Sequence, residues 1–366
     1  MKTDNLYFFY KGRVALFALL KAAGVRKDDE VILPGFTCVV VPNAIKYLGA
    51  RPVYVDINEK DYNIDIKKIK KKITKKTRVI IAQHTFGIPA DMAEIMSLAR
   101  KNNIFVIEDS AHAIGSRYKG REVGTLGDAA FFSSQWSKPI TTGFGGFCMV
   151  NHKRLKAKMK DVIEEFERPN MKERLMLHLQ YLAFTWLFKP FTYWILITIY
   201  RRLYSSGMIS GSSDRCELDM KRPDRYALQM SSFQKRLLIK KLKTIDPVIR
   251  HRKKISRLYE KVLKGKNFDL VKPSSVKDVT YLRFPLLVKD KEKILGKARK
   301  HRIEIGDWFV SPLHPVLHNL SRLDYKKGMC PVAEKVCRHI INLPTHALVN
   351  ERTARKVLQL VTNEIS

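Results

Sequence analysis

Between residues 13 and 109, short apolar runs alternate with amphipathic segments, and this alternation limits the fold more than any other feature of the chain. Val14, Leu16, Phe17, Leu19 and Leu20 recur at helical spacing, and an acidic DDE then leads into the apolar run 31–33. PVYVD (52–56), IKKIKKKI (66–73), RVIIAQH (78–84), MAEIMSLARKNN (92–103) and IFVIED (104–109) continue the pattern. Strands separated by helices pair through crossovers, so the expected fold is α/β, with a mainly parallel sheet covered on both faces. Ligands of such sheets sit at the carboxyl ends of the strands. Asp109, which closes IFVIED, therefore stands at a functional position.

Residues 129–150 break the rhythm. AAFFSS, QWSK, ITTGFGGF and CMV read as a strand, an exposed turn carrying Lys138, a glycine turn and a return strand. GFGG lacks the GxGxxG spacing and no helix follows it directly, so a dinucleotide site is not expected. The glycines instead let the backbone turn close to whatever Lys138 holds. A lysine beside Phe131, Phe132 and Trp136 loses hydration of its ammonium form, its pKa falls, and it becomes a nucleophile for a carbonyl carbon. Asp109, the hydroxyls of Ser133 and Ser134, and Lys138 form the candidate constellation.

From Leu175 to Tyr200 lies the most apolar stretch, LMLHLQYLAFTWLF, then KP, then FTYWILITIY. Each half is shorter than the roughly 20 apolar residues that a spanning helix needs, and Lys189-Pro190 interrupts them. Trp186, Tyr193, Trp194 and Tyr200 favour the headgroup level, and Arg201-Arg202 follow at once. The expectation is a pair of interfacial helices on an anionic membrane through 175–200; a buried helical pair or a subunit contact is the alternative. Charge bears on this, because 69 Lys+Arg against 35 Asp+Glu give +34, a field that attracts polyanions. Solvated helix faces account for the same excess, and no nucleic-acid-binding motif accompanies it. The five cysteines are scattered without metal-ligand spacing, so a reducing compartment and no metal site are expected. The N-terminal sequence lacks a secretory pattern. The chain reads as cytoplasmic, peripheral or monotopic at the inner face of the membrane.

Beyond residue 205 the pattern gives a basic helical segment from Leu228 to Val262, a strand at 281–288, a helix at 290–301 and a final helix capped by Asn350 and Glu351. Two domains follow: a large one over 1–245, with an insert at 171–208, and a smaller α+β one over 246–366.

Taken together, GRVALFALLKAAGVRKDDEVILPGFTC, GARPVYVDIN, KTRVIIAQHTFGIPADMAEI, EDSAHAIGSRYKGREVGTLGDAAFFSSQWSK, TTGFGGFCMVN and LPTH resemble the DegT/DnrJ/StrS-type aminotransferases. The resemblance covers nearly the whole chain except about 170–210. It implies the aspartate-aminotransferase-like fold, pyridoxal 5'-phosphate as cofactor and a homodimer with shared active sites. By the same resemblance Lys138 matches the Schiff-base lysine and Asp109 the partner of the pyridine nitrogen. His112 matches a position that hydrogen-bonds the cofactor's ring oxygen. Ser133 matches the phosphate-binding hydroxyl, aided by backbone N–H groups around Arg13 and Val14. Four positions depart from the family. Arg13 replaces a small hydroxyl residue and either neutralises the phosphate or points to solvent. Cys38 replaces the aromatic stacked on the pyridine ring, leaving that packing weaker or to Phe36 or Phe86. Phe144 replaces a glutamate, and Arg222 and Arg225 are the candidates for reaching the neighbouring subunit's phosphate. The implied reaction moves an amino group, with glutamate the usual donor, to a keto sugar. Insert and charge turn the expectation to a nucleotide-linked or lipid-linked sugar at the membrane surface, in envelope polysaccharide or glycolipid synthesis. Two other readings are a sugar dehydratase, in which histidine replaces the lysine, and a non-catalytic basic protein that has kept the fold.

Overall fold

The computed structural model describes residues 5–187, 215–266 and 268–363, with Thr192, Ile195, Leu196, Thr198, Ile199 and Arg202 between them. In chain order the first half contains β1 (Leu6–Phe9), α1 (Gly12–Ala22), β2 (Glu30–Pro34), β3 (Thr37–Cys38), α2 (Val40–Lys46), β4 (Arg51–Val55), α3 (Ile66–Lys70), β5 (Thr77–Gln83), α4 (Met92–Lys101), β6 (Phe105–Asp109), β7 (Arg117–Tyr118), β8 (Arg121–Glu122), β9 (Ala129–Ser133), β10 (Gly146–Val150), α5 (Lys153–Glu164) and α6 (Met171–Leu187). Seven strands form one sheet in the order β1-β10-β9-β6-β5-β2-β4. β4, β2, β5, β6 and β9 pair in parallel, and only β10 runs against its neighbours. The crossovers demanded by the alternating pattern are therefore present.

Register places the chemistry. Gln83 stands opposite Asp109, Asp109 opposite Phe131, and Ser133 opposite Gly146. Their side chains gather at one end of the sheet because those residues close β5, β6 and β9. α1 lies against the sheet with Gly12 to Leu20 all buried; beyond Arg13 that stretch is apolar on every side and acts as a core helix. Its first turn presses on β10: a Cβ at Gly146 would stand 2.3 Å from the Cα of Gly12. Only two glycines let these backbones meet so closely.

A second core gathers Ile255, Tyr259 and Leu263 with Phe284, Ile341 and Val357 from the C-terminal third. Phe309, Leu313 and Cys337 pack instead into the core around α1. Leu313 and His314 pair in parallel with Thr37 and Cys38, which carries the 308–315 loop onto the carboxyl end of the sheet.

The helical segment expected over 228–262 is two helices, Ser232–Lys243 and Asp246–Lys264. Pro247 lacks an N–H and fits the first turn of a helix, so it starts the second one. Ser231 and Gln234 close the first with a reciprocal capping box. In the insert, α6 forms one helix, and Lys189, Pro190, Tyr193, Trp194, Tyr200 and Arg201 lie outside the described residues. Among the described residues no helix is long and apolar enough to cross a membrane.

Candidate active site

Asp109 ends β6 with its side chain buried, and its Oδ1 accepts the Ala111 N–H at 3.0 Å. Burial raises its pKa to about 6, against the stabilising Ala111 bond and the charges of Lys138 and His84. Lys138 is also buried, a correction to the exposed turn read from the sequence. Trp308 explains the difference: its ring lies 5.2 Å from the Lys138 Nζ and comes from a loop 170 residues away. Burial lowers the Lys138 pKa to about 8, with Asp109 acting in the opposite sense.

The loop around Lys138 is laced to itself. Ser134 Oγ and Thr142 Oγ1 share a hydrogen bond of 2.8 Å, Thr142 Oγ1 donates to the Phe144 carbonyl, and Ser134 N–H donates to the Gly145 carbonyl. Gln234 Nε2 adds a bond to the same Phe144 carbonyl. These bonds fix the turn by its base, leaving Lys138 to project from it.

Behind Asp109 the neighbouring Glu108 points to the other face. It accepts the N–H groups of Gly124, Leu126 and Gly127 at 2.7–2.8 Å and meets His84 Nε2 at 3.0 Å. The Ala90 N–H donates to His84 Nδ1, so the ring proton belongs on Nε2, aimed at Glu108. This network ties the ends of β5 and β6 to the turn preceding β9.

At the far end of the cavity stand Lys11, Gly12, Arg13 and Ser133. α1 has no side-chain cap and no acidic residue in its first turn, so its N–H groups and dipole favour an anion there. Arg13 neither points to solvent nor stands alone. It is buried in an ion pair with Glu217, which is itself 3.8 Å from Lys11 Nζ.

Lys138, Asp109, His112, Ser133, Arg13 and Cys38 all line one cavity of about 230 Å³. A larger cleft of about 550 Å³, between α4 and the β7–β8 hairpin, brings together none of these groups. Phe36 and Phe86 do not line the cavity; Phe86 stacks behind His112 at 6.4 Å. Arg222 stacks on Phe17 and Tyr226, and Arg225 pairs with Glu167 and Glu173, both away from it. Trp308, Phe309, His314 and Glu217 escape the sequence reading. The first three sit in GDWFVSPLH, where aromatics inside a Gly/Pro-flanked loop are the available signal.

The residues fit pyridoxal phosphate. A buried carboxylate suits a pyridinium nitrogen, a lysine of lowered pKa suits an aldehyde, and the uncapped α1 terminus with Ser133 and Lys11 suits a phosphate. One buried polar atom of the cavity lining, His112 Nδ1, has no hydrogen-bond partner among the described residues, as expected of a group that meets a ligand.

Comparison with solved structures defines the class, an aminotransferase fold. DesV of S. venezuelae superposes with a TM-score of 0.76 at 22% identity, covering 100% of this chain and 86% of that one. The putative sugar aminotransferase Spr1654 from Streptococcus pneumoniae gives 0.75 at 20%, over 100% and 88%. The sequence pattern of the DegT/DnrJ/EryC1/StrS aminotransferase family matches residues 9–184 and 195–362, and the chain belongs to that family of pyridoxal-phosphate-dependent aminotransferases. It is 30% identical to the uncharacterized protein MJ1066 of Methanocaldococcus jannaschii, over 95% of this chain and 82% of that protein. A stretch of 144 residues, 39% of this chain, is 47% identical to GDP-perosamine synthase of Escherichia coli O157:H7. That alignment spans 40% of the relative.

Proposed function

We propose that this chain moves an amino group from glutamate to the carbonyl carbon of a nucleotide-linked keto sugar, as a homodimer. The observation that carries the reading is Lys138 and Asp109, both buried and mutually perturbed, at one cavity. When bound, the cofactor supplies a carbonyl for the amine and an electron sink for the carbon that loses its proton. Asp109, ionised at neutral pH, holds positive charge on the ring nitrogen. Lys138, as a free amine near its pKa, would move the proton between the substrate carbon and the cofactor, first with the donor and then, in the reverse sense, with the acceptor. Ser133, Lys11 and the start of α1 hold the phosphate, and the Arg13–Glu217 pair keeps a neutralised partner beside it.

An amino-acid donor such as glutamate is supported by Arg283, stacked on the cavity residue Trp308 at 5.3 Å, which offers a cation to the donor's carboxylate. The nucleotide carrier is supported by the printed names of relatives. Beside GDP-perosamine synthase stands UDP-N-acetyl-3-dehydro-alpha-D-glucosamine 3-aminotransferase of Acidithiobacillus ferrooxidans, 41% identical over 41% of this chain. The test is a two-stage spectrum. Glutamate should convert the protein-bound cofactor from its aldehyde to its amine absorbance, and a GDP- or UDP-linked keto sugar should reverse it, with a lipid-linked keto sugar run beside them. Lys138→Ala should abolish both changes. A cofactor that ignores glutamate and every other amino acid would overturn the reading.

A further inference from the structure

The outward side of α6 is unlike the rest of the surface. Met171, Leu175, Leu179, Leu182 and Trp186 follow one another at helical intervals, so they form one stripe, and they are 70%, 57%, 54%, 40% and 75% exposed. A contiguous apolar stripe marks an interaction surface, where scattered exposed leucines would not. The opposite side of the helix is committed. Leu177 is buried on the glycine turn, close enough that a Cβ at Gly143 would meet it at 2.7 Å. Phe184 rests on Trp136 at 5.0 Å, and His178 and Tyr181 rest on Phe233 at 4.4 and 5.7 Å.

Charge selects the occupant. Between Arg174 and Arg201 the only charged residue is Lys189. The helix Ser232–Lys243, on which α6 rests, holds four lysines, one arginine and no acidic residue, and its Arg236, Lys240 and Lys243 are exposed. A second copy seated on this stripe would set one basic flank against the other, helix Ser232–Lys243 against its own copy. Nucleic acid would satisfy the cations and leave the stripe in water. An anionic bilayer satisfies both, with apolar side chains below the headgroups and lysines among them.

We propose that the outward stripe of α6 docks, parallel to the surface, into the headgroup layer of an anionic membrane. Trp186 sits at headgroup depth and the helix Ser232–Lys243 supplies the basic flank. Because the inner side of α6 covers the turn that carries Lys138, docking holds the cavity next to the bilayer, on the leaflet rich in anionic lipid. The inference does not depend on which reaction the cavity performs.

The test is flotation of the purified full chain with vesicles of phosphatidylcholine alone, or with about one third phosphatidylglycerol, at low and high salt. The chain should float with the anionic vesicles, keep part of that binding in high salt, and show a blue-shifted tryptophan emission quenched by brominated acyl chains. Leu179→Glu with Trp186→Gln should cut the bound fraction at least tenfold and remove the quenching, while thermal unfolding and cofactor uptake stay as in the parent. Quenching in the unaltered chain decides the matter even if the double variant misfolds. Absence of flotation, complete release by salt, or undiminished binding by a folded double variant would each overturn the proposal. So would a double variant whose main change is a dimer falling to a monomer, since the stripe would then be a subunit contact.

Discussion

At the scale of single residues, the site turns on two groups pushed towards each other in pKa. Lys138 loses its proton near pH 8 rather than near the ordinary 10.5, because burial penalises the ammonium form more than Asp109 restores it. Only the neutral amine attacks an aldehyde, so the neutral fraction should rise from about a tenth at pH 7 to about nine tenths at pH 9. Cofactor uptake by the cofactor-free protein should accelerate with pH along a curve centred near 8. Stopped-flow absorbance measures it, and a midpoint above 10 would mean that Lys138 is solvated. Asp109→Asn should still take up the cofactor, because the phosphate end and Lys138 are untouched. Its turnover should fall by about 10²–10⁴, since a neutral amide does not hold a pyridinium charge. Steady-state kinetics beside a binding titration separates the two effects. Lys138, Asp109 and Ser133 were legible because each stands at a strand end or turn in an unbroken motif. Trp308 and Glu217 were not. Trp308 reaches the cavity from a loop 170 positions after Lys138, and Glu217 reaches Arg13 from the helix Arg215–Leu218, 79 positions after Lys138; a contact made by folding leaves no periodicity in the chain.

At the scale of elements, the parallel strands were legible because their apolar runs are short and separated by amphipathic helices. The break between Ser232–Lys243 and Asp246–Lys264 is hidden, although Pro247 is a local signal, because lysines and leucines continue at helical spacing on both sides. How the turn before β9 is held was also hidden. Glu108 serves three backbone N–H groups and His84 at once, and nothing in IFVIED distinguishes its role from that of Asp109 beside it. Removing its carboxylate strands those donors in a buried place, each costing about 1–3 kcal/mol. Glu108→Ala should therefore lose about 3–5 kcal/mol of stability, as for other broken buried networks, measured by urea unfolding. A loss under about 1 kcal/mol would mean that water replaces the carboxylate.

At the scale of the whole molecule, the excess of positive charge was plain in the sequence, but its arrangement was not. Much of it lies on exposed helix faces, such as Lys240 and Lys243, and the part that matters for the cavity is a buried minority, Lys138 and Arg13. The two ends of the cavity are made by different means. Side chains from several segments build the end around Trp308 and Arg283, whereas the anion end depends on Gly12 and Gly146 touching backbone to backbone. Gly146→Ala must push the start of α1 away from Ser133, so it should weaken cofactor binding at least tenfold while the Lys138 uptake curve keeps its midpoint. Equilibrium dialysis against pyridoxal phosphate reads the first effect and the pH series the second. A chain assembled in this way has a fixed grip and an adjustable mouth. Substitutions at 283, 308 or 314 can retune which molecule is chosen and leave the grip alone, while any side chain at 12 or 146 alters the grip for every substrate alike.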